Sequence, residues 1–417
     1  MGFLYDCFIL TYRMLSRVFA LFSPKARLFV AGREGLFHRL SKALEGRSKP
    51  VIWFHCASLG EFEQGRPLIA GIRESHPGHL ILLTFFSPSG YERQKDYDKA
   101  DIISYIPLDT RSNARRFVSL AKPVLAVFVK YEFWHHHIAE LARQRVPLVS
   151  VSAIFRPDQI FFKSYAGFYR RILQRFTHLF VQNEESIALL QSIGITQCTR
   201  SGDTRFDRVF EIVKGAEEIP VARMFKGSSK TMVVGSCWPD DMDVLTPFIN
   251  NKAATGELKF ILAPHEISET FIQRIIASLN VPAVRFSEAL NADLESCRVL
   301  IIDNIGMLSR LYRYGEFAFI GGAFGDGLHN VLEAACYGLP VFFGNRNYRK
   351  FAEAVELIHR GAAFAVADYP ELLARYEALR PEDDYRKVTG IAEAYVHENL
   401  GATTIILQYL NAMLSKV

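Results

Sequence analysis

The chain has no CxxC pair and no disulfide-framework spacing: its six cysteines, Cys7, Cys56, Cys198, Cys237, Cys297 and Cys336, lie scattered through 417 residues. That excludes a small disulfide-stapled domain and fits buried thiols in a reducing compartment. No low-complexity tract and no short-period repeat occurs, so a disordered linker protein or a solenoid is not expected. The early apolar stretch lacks a small-residue exit, hence no signal-peptide cleavage pattern, and a cytoplasmic chain is the expectation. Charged residues make up only 22% against 49% hydrophobic, a globular balance. The length exceeds what one hydrophobic core usually serves, which makes two domains the default.

The charge that is present is unevenly placed. Residues 1–50 hold nine Lys/Arg and three acids, a local balance of +6 in a chain whose total is +5. The basic excess therefore belongs to the N-terminus, and the body is near neutral. Within it, FLYDCFILTYRMLSRVFALF (3–22) is long enough to span a bilayer, but Asp6, Arg13 and Arg17 interrupt it. Each would be costly at the hydrocarbon centre. An interfacial helix suits the composition better, with aromatics and leucines in the headgroup boundary and basic groups on anionic lipid. The bland alternative is an amphipathic helix packed on the protein's own surface. No recognised nucleic-acid motif accompanies the basic cluster.

From residue 51 short apolar runs alternate with amphipathic stretches, the sign of a parallel sheet flanked by helices. Strands are expected at 51–55, 79–85, 102–106, 124–129, 147–152 and 178–182, with helices at 111–121, 134–144 and 164–176. The polar segment 213–229 reads as a crossing between halves. The series restarts at 231–235, 258–262, 298–303, 316–320 and 340–343, and 383–415 reads as terminal helix. Two doubly wound α/β domains facing an inter-domain cleft follow, with ligands expected at the carboxyl ends of the strands.

Four groups of residues carry candidate chemistry. In FHCASLGEFEQGRPLI (54–69) a strand ends near His55, a small-residue turn follows, and Glu61 opens a helix. The positive end of a helix favours a carboxylate, and a carboxylate suits a base; equally, Glu61 merely complements the helix dipole. In FVKYEFWHHH (128–137), Glu132 sits beside Trp134 after an apolar strand. Its three histidines point in different directions on a helix, so a solvated helix start is expected rather than a metal site. In SGDTRFDR (201–208), Arg205 and Arg208 are suited to a carboxylate or phosphate, or else Asp203 or Asp207 pairs with a neighbouring arginine in a surface turn. The fourth group is GSCWPDD (235–241), APHE (263–266), DNIGMLSRLY (303–312) and GGAFGDGLHNVLEAACYGLPVFFG (321–344). Its glycine-rich loop is expected to enter a helix starting near His329, a phosphate-binding arrangement, with Glu333 one turn in, placed to accept from a ribose. It matches neither GxGxxG nor a Walker A, so neither a nicotinamide dinucleotide nor ATP is favoured.

In this order and at these intervals the four strings resemble the 3-deoxy-D-manno-octulosonic acid (Kdo) transferase family of lipid A assembly, over about residues 30 to 400. The resemblance implies a GT-B fold and an inverting, metal-independent and cofactor-free reaction. It also implies CMP-Kdo as donor, a lipid A precursor such as lipid IVA as acceptor, and lipopolysaccharide core biosynthesis as setting. The family's S-x-G-E string is matched by Ser58-Leu59-Gly60-Glu61, assigning the base to Glu61 and substrate contacts to Ser58 and Gly60. Its G-x-x-[KR]-F-D string is matched by Gly202 to Asp207, placing the stabilising cation at Arg205. Nucleotide contacts fall on Pro264 and His265, on Gly306, Met307 and Leu308, and on Asn330, Val331, Leu332 and Glu333. The chain departs from the family at His265, where arginine is more usual, and at Lys130-Tyr131-Glu132-Phe133-Trp134-His135, where many members carry two acids before Leu-Trp-Pro-Asn. Whether Glu132 or Lys130 acts there stays open.

The implied organisation is a membrane-associated segment (1–30), an acceptor-binding Rossmann-like domain (31–212), a donor-binding one (213–382) and a C-terminal helix packing back on the first domain (383–417). The implied location is the cytoplasmic face of the inner membrane, peripheral or monotopic, with the membrane surface and no nucleic acid as partner. Competing readings are another GT-B-like enzyme, a nucleotide-sugar epimerase or UDP-sugar transferase, and a catalytically silent membrane-associated nucleotide-binding protein.

Overall fold

The long apolar runs form strands buried on both faces, as in parallel sheets covered by helices. The computed structural model describes residues 2–215 and 217–415. It divides into two compact units: residues up to Arg208 together with those from Leu400 onward, and Val209–Asn399. In the first unit the strands are β1 (Val51–Cys56), β2 (Leu80–Phe85), β3 (Ile102–Tyr105), β4 (Pro123–Val129), β5 (Leu148–Ala153), β6 (His178–Val181) and β7 (Cys198–Arg200). In the second they are β8 (Thr231–Cys237), β9 (Lys259–Pro264), β10 (Ala283–Arg285), β11 (Val299–Ile301), β12 (Phe317–Ile320), β13 (Val341–Gly344) and β14 (Ala363–Val366).

The first sheet runs β3-β2-β1-β4-β5-β6-β7 and the second β10-β11-β9-β8-β12-β13-β14, with parallel pairing between neighbours. The order reverses between β1 and β4 and between β8 and β12. Such switch points open a crevice at the carboxyl ends of the strands, where open α/β sheets take their ligands. Both α/β halves are therefore as expected. β7, β10 and β14, all at sheet edges, were not anticipated.

The segment 213–229 contains a helix, Pro220–Lys226, and is preceded by another, Thr204–Lys214, that carries the chain from the first unit into the second. The expected terminal helix over 383–415 is two helices, Glu382–Glu398 and Ala402–Leu414. They are separated where Gly401 adopts a left-handed φ of 102°, a conformation that stops a helix and that glycine takes without strain. Only the second returns to the first unit, where Ile406, Leu410 and Leu414 join the core with Phe54, Ile69 and Leu83. The division thus falls at 208/209 and 399/400, not at 212/213 and 382/383.

The N-terminal helix Gly2–Phe19 presents two faces. Ile9 is buried, and the Tyr5 hydroxyl donates to the buried Asp109 carboxylate. Its other side is apolar and open: eight of the twenty large hydrophobic side chains exposed among the described residues lie on this helix, and Leu21 and Phe22 follow just beyond it. No helix among the described residues is long and apolar enough to cross a membrane.

The returning helix is held by Asp207, which accepts from the backbone N–H of Gly401 and of Thr403, both at 2.6 Å. A carboxylate at a helix N-terminus satisfies amides that have no partner within the helix and meets the positive end of its dipole. Asp207→Ala is expected to lower stability by about 1–2 kcal/mol, measured by urea denaturation, with Asp207→Asn intermediate.

Candidate active site

In the first unit the loops after β1, β4 and β7 carry the candidate groups to the carboxyl rim of the sheet. Ser58 has extended backbone and caps the helix Leu59–Ser75, its oxygen accepting from Gly60 N–H at 3.2 Å. The Ser58 hydroxyl donates to the carboxylate of Glu61, three residues on. The S-x-x-E spacing thus makes a capping arrangement and leaves Glu61 half-buried at the β1 side of the switch point.

Glu132 follows β4 and is buried. Its carboxylate is 2.9 Å from His55 Nε2 and accepts from the Trp134 indole N–H at 2.6 Å. The other His55 nitrogen lies 2.9 Å from the Thr84 hydroxyl, so a chain of polar groups runs through the apolar core from β2 through β1 to the rim. Lys130, just before, takes a left-handed φ of 67°. The backbone is strained here, where β4 turns out of the sheet.

Arg205 stands at the start of Thr204–Lys214, and its side chain and backbone N–H both donate to Asp203 at 2.9 Å. An aspartate–arginine pairing was one expectation for this string, but not in a surface turn: Asp203 is buried and also accepts from Gln64 Nε2 at 2.9 Å. Burial alone would raise the Asp203 pKa; Arg205, its backbone N–H, Gln64 and Lys130 together hold it below the usual carboxylate range. Arg208 instead reaches Glu63 at 3.5 Å.

These groups share one neighbourhood. Burial drives the Cys56 thiol upward, and the charges of Glu61, Glu132 and Glu63 push it further. Tyr131 is likewise raised by burial, against Arg156, with Asp203 and Glu61 adding to the rise. The histidine run departs from expectation. His137 is buried against Asp109 and His136 pairs with Asp6, so this helix start is not solvated. The cause is Asp109, whose burial demands donors: His137, Tyr5 and the His136 amide supply them and bring its pKa down to about 2. Among the described residues no group of His, Cys, Asp and Glu is arranged to hold a metal ion.

In the second unit Trp238 follows β8 and the glycine-rich loop follows β12, on either side of that sheet's switch point. Pro264 ends β9, and His265 stacks on both Trp238 and His329, at ring distances of 4.3 and 4.5 Å. The Trp238 indole donates to His329 Nε2 at 2.9 Å, and burial together with His265 lowers the His329 pKa to about 4. Asn330 is 3.0 Å from Glu333 and accepts from Leu332 N–H at 3.1 Å; Val331 and Leu332 are buried. Leu308 packs near Gly235 beside Tyr312, whose hydroxyl feels the charge of Glu333. Gly306 is exposed, and Met307 is half-buried beyond it.

The helix expected near His329 begins at Leu332 and has four residues. The glycine loop stays irregular because it folds onto itself: Gly325 and Gly327 donate to Gly322 O at 3.1 and 2.9 Å, and Gly322 donates to Asp241 at 2.8 Å. A side chain at Gly321 would lie 2.3 Å from Ser236 O, so the approach to β8 requires glycine. Asp241, buried with one carboxylate oxygen lacking a protein partner, is raised to about 6 by burial against the amides of Trp238 and Gly322.

Residues 33–208 match the family model for 3-deoxy-D-manno-octulosonic-acid transferase (kdotransferase). A 3-deoxy-D-manno-octulosonic acid transferase of Aquifex aeolicus is 29% identical over 354 residues, 82% of this chain and 91% of that protein. Over these residues the chain is similar to the Kdo transferase family. The Chlamydophila psittaci Kdo transferase is 26% identical, covering 86% of this chain and 84% of its own. Among solved structures, the UDP-GlcNAc 2-epimerase of Neisseria meningitidis aligns with a TM-score of 0.61 at 14% identity, over 88% of this chain and all of that one. That likeness establishes the fold, two doubly wound domains of GT-B type, and nothing about substrate.

His55, Gln64 and Asp241 were not singled out from the sequence. A histidine inside the apolar run VIWFHC, and a glutamine one turn beyond Glu61, were the available signals for the first two. His55→Leu is expected to cost about 1–3 kcal/mol by leaving Glu132 short of a partner. A double-mutant cycle with Glu132→Leu checks it: strictly additive losses would contradict the pairing.

Proposed function

We propose that this chain is a Kdo transferase that moves Kdo from CMP-Kdo onto a lipid A precursor, lipid IVA, with inversion, in lipopolysaccharide core biosynthesis. The observation that carries the reading is Glu61, half-buried at the β1/β4 switch point, in the S-x-G-E string of the family and held by Ser58. Glu61 takes the proton of an acceptor hydroxyl as that oxygen bonds to the anomeric carbon. The bond from that carbon to the CMP phosphate oxygen breaks on the opposite face, and CMP departs with the electron pair. The donor's own carboxylate offsets the positive charge that develops on its ring.

Arg205 and Glu132 stabilise the transition state in this reading. Arg205 is suited to the leaving phosphate because Asp203 orients it from a buried position. Pro264, His265, Gly306 to Leu308 and Asn330 to Glu333 take the nucleotide. A cytidine monophosphate donor leaves one phosphate rather than a pyrophosphate, so the usual need for a divalent cation is absent.

The test is incubation with CMP-Kdo and lipid IVA, with products weighed by mass spectrometry. Glu61→Gln is expected to lower turnover by roughly 10²–10⁴ while CMP affinity is kept, and excess EDTA to leave the wild-type rate intact. Near-full activity of Glu61→Gln would remove the base assignment.

We further propose a peripheral or monotopic location on the cytoplasmic face of the inner membrane. Its support is the open apolar face of Gly2–Phe19 together with the local balance of +6 over residues 1–50. Tyr5 and Ile9 pack inward, so replacing outward Phe3, Phe8 and Met14 by Gln is a cleaner trial than deleting the segment. The triple variant is expected to move from membrane pellet to supernatant; unchanged partitioning would count against this location.

A further inference from the structure

Two cavities lie side by side beneath the N-terminal helices of the first unit, with Ser16 and Phe29 common to both walls. The smaller, about 240 Å³, is lined by Arg13, Arg17 and Arg33, with Glu34 its one acid. Arg13 and Arg17 are one helical turn apart on Gly2–Phe19. Among the described residues none of these three arginines forms an ion pair with a carboxylate.

Arg33 is the unusual member. It donates to the carbonyls of Ile106 (3.0 Å), Phe29 (3.0 Å) and Phe86 (2.8 Å), and lies 3.8 Å from the centre of the Phe29 ring. A guanidinium has five N–H donors, so this anchoring leaves donors over for a ligand. Burial pulls its pKa down to about 9 against the opposing pull of Tyr105 and Tyr12, with no carboxylate adding to theirs. A cation held in place without a counter-charge is a ready partner for an anion.

The larger cavity, about 530 Å³, is an apolar groove formed by Tyr12, Leu15, Phe19, Phe29, Phe86 and Pro88. It adjoins the candidate catalytic loops. Phe86 stacks on Trp134 at 4.7 Å, and Trp134 donates to Glu132. Ser87 N–H donates to Ala57 O at 2.7 Å, one residue before Ser58.

We infer that the two cavities together bind one molecule of an acylated sugar phosphate, its phosphate among Arg13, Arg17 and Arg33 and an acyl chain along the groove. This rests on the glycosyl-transfer reading above, in which that molecule is the acceptor. Charge complementarity selects the head group, the apolar lining selects the chain, and the adjoining loops select an acceptor over bulk phospholipid. The outward face around Phe3, Phe8 and Met14 remains for the bilayer itself.

The experiment is equilibrium binding of lipid IVA in neutral-detergent micelles to the full chain without donor, beside its dephosphorylated and its deacylated forms. Both altered ligands are expected to bind at least about tenfold more weakly. Arg13→Gln with Arg17→Gln, both exposed, should weaken lipid IVA about tenfold and leave the dephosphorylated lipid as it was; Phe19→Asn should weaken only acylated ligands. Equal losses for phosphorylated and dephosphorylated lipid, or competition by phosphatidylglycerol micelles as strong as by lipid IVA itself, would overturn the inference. Kdo transfer measured alongside separates the two readings. Transfer by wild type with normal binding by the variants removes this site alone, whereas phosphate- and chain-dependent binding without any transfer supports the site and removes the proposed reaction.

Discussion

Asp203 is withdrawn from water at the end of the first sheet, and donors from two stretches of chain meet its charge: Gln64 from the helix after β1, and Arg205 with its own amide from the helix after β7. An ionised carboxylate in that setting is tolerated only with such donors. The bonds therefore fix more than one side chain. They tie the start of the helix bearing Glu61 to the start of the helix bearing Arg205. Thr204 strengthens the join by donating to Gln64 O at 2.6 Å while sitting 3.0 Å from Ser152.

The same requirement recurs around the rim. Glu132 draws on His55 and Trp134, and Asp109 draws on Tyr5, His137 and the amide of His136. Each buried acid joins elements far apart in sequence, and the Asp109 set reaches the N-terminal helix. In the second unit Asp241 does comparable work with fewer donors, taking the amides of Trp238 and Gly322 and shaping the glycine loop beside them. Buried carboxylates, more than apolar contacts, determine which loops meet at each switch point, because apolar packing is tolerant of small displacements and a hydrogen-bonded charge is not.

Much of this was legible in the sequence. Runs such as LILLTF and PVLAVFV have the length and continuous apolarity of buried strands, and their spacing announced two α/β halves. The edge strands β7, β10 and β14 escaped for a physical reason: an edge strand of three or four residues, such as Cys198–Arg200, need not be apolar and leaves no periodic signature. Ser58 and Glu61 were readable because a helix cap has a fixed local spacing. Gln64 with Asp203, and His55 with Glu132, were not, since the partners are 139 and 77 residues apart and no local rule joins them. The glycine loop was expected to enter a helix near His329, but Asp241 and the loop's own carbonyls claim its amides and the helix starts only at Leu332.

The helix Ala402–Leu414 places Ile406, Leu410 and Leu414 in the core beneath β1 and β2. A ribosome reaches those residues only after the whole of Val209–Asn399 has been synthesised. During synthesis the N-terminal α/β layer therefore waits with one side uncovered, while the domain encoded after it has all of its own sequence available. The first unit therefore receives its last core element only after the second has been made.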